Sequence, residues 1–153
     1  MTVRLTKNFT LSEFTKSQTA ERKGIANSPN EVSVMAMEEL CHCVLEPIRS
    51  AFAKPIHINS GYRSAALCEA IGSKSTSQHC DGEAADIEIY GVSNYDLAKY
   101  IKNNLNFDQL ILECWDGIDP NSGWVHVSYV SENENRKDVL TYNKKDGYTK
   151  GIL

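Results

Sequence analysis

Residues 77–90 change character within a few positions, and that change constrains the whole chain. Ser77-Gln78-His79-Cys80-Asp81-Gly82-Glu83 is polar, with a glycine near its middle. Residues 85–90 then alternate: Ala85, Ile87 and Ile89 fall on one face, Asp86, Glu88 and Tyr90 on the other. Alternation with a period of two makes a strand with one face on a core. Gly82 has no Cβ and lets the backbone fold back, bringing a loop histidine near a strand aspartate. Any fold for this chain has to accommodate that pair.

A matching element follows. In Trp124-Val125-His126-Val127-Ser128, His126 lies on one face and Val125 and Val127 on the other. If the two strands pair with their apolar faces on the same helices, Asp86 and His126 project to the same side. Two neutral imidazoles and a carboxylate suit Zn²⁺ in a catalytic site, where three protein ligands leave a fourth position for water. Buried Asp–His pairs also occur in metal-free cores, so the spacing by itself leaves both readings open. The other two histidines, His42 and His57, have no such company.

The rest of the chain reads as an ordinary domain. Its 153 residues suit a single domain over 1–153, and 41% hydrophobic with 24% charged residues excludes disorder. Sixteen Lys and Arg against twenty Asp and Glu give a charge of −4, with no basic stripe for nucleic acid. No apolar run is long enough for a membrane span, and no apolar stretch follows Arg4 and Lys7 as in a signal peptide. The expectation is a cytoplasmic product, with Cys41, Cys43, Cys68, Cys80 and Cys114 all reduced.

Thr10-Leu11-Ser12-Glu13 has the form of a capping box for a short helix over residues 11–16, and Gly24 closes the region. Ser28 as cap, with Pro29 at the first helical position, predicts the next helix. Val34, Met37, Cys41, Val44, Ile48 and Phe52 give it an apolar stripe, which Pro47 should kink. Strands are expected at 56–59, 109–113 and 124–129, helices at 64–71 and from Ser93 to about 105, and a hairpin around 139–142. The pattern is α+β: helices packed on one face of a small, mostly antiparallel sheet.

Ser77-x-His79-x-x-Gly82-x-Ala84-x-Asp86, preceded by Ser60-Gly61-Tyr62-Arg63-Ser64 and followed by Trp124-x-His126, resembles the zinc D-alanyl-D-alanine carboxypeptidases of the M15 type. That family includes L-alanyl-D-glutamate endopeptidases of phage lysins; the Hedgehog amino-terminal domain is a structural relative. Phe9-Thr10-Leu11-Ser12-Glu13-Phe14 and Gly24-Ile25-Ala26-Asn27 resemble its short phage and prophage branch.

The resemblance implies one Zn²⁺ on His79, Asp86 and His126, and hydrolysis of peptidoglycan stem peptides. It implies Arg63 at the oxyanion. Beside it, Ser77 reads as a substrate contact or as the start of the loop, and Tyr62 and Trp124 as pocket walls or as core. Several relatives carry an acid three positions before the last histidine, where this chain has Gly123. Glu113, on a strand face with Ile111 and Gln109, is the substitute base, with Asp116 and Asp119 as fallbacks in a turn. A stand-alone, monomeric catalytic domain is expected, reaching the cell wall by holin-mediated release or in a virion. Two rivals stand beside it. One is a non-catalytic zinc protein of a virion or an interaction partner, favoured by Gly123. The other is a thiol enzyme using Cys80 and His79.

Overall fold

The computed structural model describes residues 3–72 and 77–152, so residues 73–76 of the expected polar loop lie outside the described residues. Two short strands the sequence did not announce, β1 (Arg4–Thr6) and β2 (Phe9–Thr10), pair antiparallel at the start. Helix α1 (Leu11–Thr15) follows with the expected capping box on Thr10, whose backbone N–H donates to Glu13 Oε1 at 2.9 Å. A separate helix, α2 (Gln18–Lys23), ends at Gly24 in the left-handed region.

The next helix, α3 (Glu31–Leu40), starts two residues later than Ser28 and Pro29 suggest. Asn30 is its cap, accepting from the Ser33 N–H at 2.8 Å. A widened π turn, Cys41–Leu45, leads into α4 (Glu46–Phe52), with Pro47 in its first turn. Proline lacks an N–H and its ring crowds the carbonyl four residues back, so the turn widens where a kink was expected.

Then come β3 (His57–Ser60), α5 (Ala65–Ala70), a 3₁₀ turn (Gln78–Asp81) and β4 (Ala84–Glu88). Helix α6 (Asn94–Asn104), β5 (Gln109–Glu113), β6 (Trp124–Ser128), β7 (Asp138–Asn143) and β8 (Gly147–Lys150) complete the order. The main sheet runs β3-β4-β6-β5-β7-β8. Its pairings are antiparallel except β5 with β7, which is parallel. The fold is α+β, and the expected hairpin at the tail adds two strands to the sheet.

One face of the sheet makes the core. Ala85, Ile87, Leu110, Leu112, Val125 and Val127 pack there with Met37, Leu40, Val44, Ile48, Leu97 and Ile101. Burying each large aliphatic side chain is worth about 1.5–3 kcal/mol, so this face fixes the register. Strict alternation then turns Asp86, His126 and Glu113 to the opposite face.

The five thiols are not all reduced, contrary to the expectation from the sequence. Cys68 of α5 and Cys80 of the 3₁₀ turn form a disulfide, because the Arg63 N–H donates to the His79 carbonyl and draws the two segments together. Cys41, Cys43 and Cys114 are free. A disulfide-bonded Cys80 offers no thiolate, which removes the chemistry of the thiol rival. Among the described residues no helix is long and apolar enough to cross a membrane.

Candidate metal centre

Asp86 and His126 stand directly opposite each other in the β4–β6 ladder. His79 joins them from the 3₁₀ turn, which Ser77 caps by accepting from the His79 N–H at 3.3 Å. The turn closes at Gly82, with φ +78°, where a Cβ would run into the Ser33 carbonyl oxygen at the start of α3. Only glycine fits that approach, and it sets the distance between loop and strand.

The three side chains are buried, at 3% exposure for His79, 7% for Asp86 and 8% for His126. Asp86 Oδ1 lies 3.4 Å from His79 Nε2 and 3.1 Å from His126 Nδ1. Ligand atoms about 2.0–2.1 Å from one ion at tetrahedral angles stand about 3.3 Å apart, so these spacings fit a zinc-sized ion. His79 Nδ1 is 2.7 Å from the Gly61 carbonyl, which can only accept. That bond places a proton on Nδ1 and leaves Nε2 as the ring atom facing Asp86. Burial opposes ionisation of Asp86, yet its contacts with the His126 and His79 rings hold the carboxyl well below the usual range. His126 Nε2 is buried without a hydrogen-bond partner among the described residues. The donor set fits a divalent ion.

Around this group lies a polar cleft of about 480 Å³. Ile111 is opposite His126, so Glu113, two residues on, projects from the same face into the cleft. Burial raises the Glu113 carboxyl pKa; His126 and Arg63 oppose that shift and the Asp86 carboxylate adds to it. Arg63 Nη2 sits 3.4 Å from Asp86 Oδ2, and its Nε donates to Ser60 Oγ at 2.9 Å. Ser77 and Trp124 line the cleft. Tyr62 does not: it packs in the core and borders a neighbouring groove beyond Arg63. Asp116 and Asp119 are occupied by their turn. Asp116 Oδ1 accepts from the Ile118 and Asp119 N–H groups, both at 2.8 Å, and Asp119 Oδ1 from Asn121 at 2.9 Å.

Gly123 explains why no acid stands three residues before His126. Its φ is +71°, and a Cβ there would strike the Glu113 carbonyl oxygen across the strand pair. Gly123→Asp is therefore expected to destabilise the protein by at least about 1–2 kcal/mol, the left-handed penalty alone, without raising activity. Thermal melting and a hydrolysis assay on the same preparation check both halves.

Sequence reasoning missed the network behind His79. Buried Asp108 accepts from Gln78 Nε2 at 2.9 Å and from the Arg136 side chain at 2.8–3.2 Å. Burial alone would raise its carboxyl pKa, but these bonds and the Arg136 N–H lower it. In sequence, Asp108 is one more polar residue before a strand, and nothing marks its partners.

Two imidazoles and a carboxylate converge on a sheet face, in a cleft with a glutamate that has no hydrogen-bond partner among the described residues, a set that could hold a catalytic metal ion. The family comparison is narrower. A family model described as Peptidase M15 matches residues 7–128, and the chain belongs to that family of metallopeptidases. Among curated proteins, none matches the chain.

Proposed function

We propose that this protein is a zinc peptidase that hydrolyses peptide bonds in peptidoglycan stem peptides, as a phage or prophage product acting at the cell wall. The observation that carries this reading is the convergence of His79 Nε2, Asp86 Oδ1 and His126 Nδ1 beside Glu113 in one cleft. His79, Asp86 and His126 hold the ion. When bound, Zn²⁺ supplies Lewis acidity that polarises the scissile carbonyl and makes adjacent water more acidic.

Glu113 would serve as the base, taking a proton from the attacking water and returning it to the leaving amine. Its half-buried position, with a raised pKa, suits a carboxyl that must both accept and release a proton. Arg63 keeps Asp86 oriented through Oδ2 and sets positive charge beside the developing oxyanion. Ser77 and Trp124 contact the peptide from the walls of the cleft, and Tyr62 from the adjoining groove. The rival, a zinc protein without catalysis, draws on Gly123 alone, and the glutamate on the neighbouring strand supplies the base that Gly123 lacks.

Purified peptidoglycan incubated with the zinc-loaded protein is expected to release stem-peptide fragments, identified by mass spectrometry. Chelation should stop release and added zinc restore it. The fragment masses separate D-Ala-D-Ala from L-Ala-D-Glu cleavage. No release from peptidoglycan or from soluble stem peptides, with zinc bound, would favour the binding-protein reading.

A further inference from the structure

Arg136 lies beyond the stretch matched to the family, residues 7–128, yet it lines the same cleft as the three candidate ligands. Its backbone is pinned to the start of β5. Lys137 N–H donates to the Phe107 carbonyl at 3.2 Å and Asp138 N–H to the Asp108 carbonyl at 2.9 Å. Its guanidinium is pinned too. The Asp108 carboxylate, on a residue only 2% exposed, accepts from Arg136 Nη2 at 2.8 Å and from Nε at 3.0 Å. Gln78 donates to the same carboxylate, which ties Arg136 to the residue preceding His79.

The other edge of the guanidinium makes no hydrogen bond among the described residues, although the Asp138 carboxylate also acts on its charge. The Arg136 side chain remains 58% exposed, and Nη1 has no hydrogen-bond partner among the described residues. A long side chain held from behind by a buried carboxylate has already lost its rotamer freedom, so binding through its free edge costs little ordering entropy. Planar N–H donors in that state recognise carboxylates better than a mobile lysine would. The other cleft arginine, Arg63, already faces Asp86. Among the described residues that line the cleft, Arg136 is the cation left to meet an anionic group of the substrate.

We infer that Arg136 is a substrate-binding residue that pairs with a carboxylate of the peptide in the cleft, an inference that rests on the stem-peptide reading. The carboxylate has two sources in such a peptide: its C-terminus, or the free carboxyl of its glutamyl residue. Both present the same chemistry to a guanidinium.

Steady-state kinetics on three soluble substrates separate them: a stem peptide with both carboxylates free, one amidated at the C-terminus and one amidated at the glutamyl residue. Arg136→Gln is expected to raise KM for the free peptide about tenfold or more with kcat little changed, the pattern of lost uniform binding. For the amide that lacks the paired carboxylate, wild type and variant should share one KM, and that amide identifies the source. Arg136→Lys, which keeps the charge and loses the fork, should recover part of the difference. A merely structural arginine would raise KM for all three peptides alike, and that outcome overturns the inference, as does an unchanged KM for the free peptide. Calorimetric binding to zinc-loaded Glu113→Gln, with and without Arg136→Gln, gives the same ranking without turnover. A wild type that neither cleaves nor binds any of the three removes the stem-peptide reading and this inference with it. Cleavage with an Arg136-independent KM removes the inference alone.

Discussion

Wild-type protein is expected to purify with about one zinc ion per chain, and His79→Ala protein with none. The loss should be severe because His79 is the best fixed of the three. Its Nδ1 is held by the Gly61 carbonyl at 2.7 Å and its turn is capped by Ser77, so Nε2 is aimed before any ion arrives. Asp86 and His126 alone leave two donor atoms on adjacent strands. An ion bound only to the folded state stabilises it by about 4 kcal/mol at 1,000 times Kd. For a chain of this size that is about 8–16 °C in Tm. Chelator should lower wild-type Tm by that order, while His79→Ala should melt at the chelated value and ignore chelator. Elemental analysis decides: zinc retained in the variant, or missing from zinc-supplemented wild type, removes the ligand assignment.

The elements legible in the sequence are those where local chemistry and burial agree. Thr10 and Glu13 form their capping box because both partners lie within one turn. The stripe from Met37 to Ile48 reads correctly because core packing follows helical period. Ser28 with Pro29 misleads, since two plausible caps sit side by side and the Asn30 side chain wins the Ser33 N–H. The parallel β5–β7 pairing and the Cys68–Cys80 disulfide are long-range outcomes. No spacing rule announces either, and only the closeness of α5 to the 3₁₀ turn makes the second possible.

The candidate site divides along the same line. His79, Asp86 and His126 were legible because strand alternation turns Asp86 and His126 to one side and Gly82 returns the loop to them. Glu113 was legible through its phase with Ile111. Its supports were not. The Gly61 carbonyl offers no side chain to notice, and the Asp108–Arg136 pair joins residues 28 apart through a turn without a motif. Tyr62 reads from sequence as either a pocket wall or core, and its place carries both: it packs in the core and borders the groove beyond Arg63.

Glu113→Gln is expected to leave fold and zinc content unchanged and to cut stem-peptide hydrolysis by more than a hundredfold. Glutamine is nearly isosteric with glutamate and keeps its place beside Trp124 and Tyr142 in the strand ladder. Its amide cannot accept a proton from water, and general acid–base catalysis is worth about 10²–10⁴-fold. The raised pKa of Glu113 adds a second signature. The base works only when ionised, so wild-type kcat/KM should fall as pH drops through a value above 4.5, the ordinary glutamate figure. In the variant the residual rate should lose that acid limb. Asp119→Asn is the control, since its carboxylate accepts from the Asn121 N–H and shapes an exposed turn. It should cost a few-fold at most. A near-normal Glu113→Gln beside an inactive Asp119→Asn would move the base into the turn, and equal loss in both would point to damage of the β5–β6 connection instead.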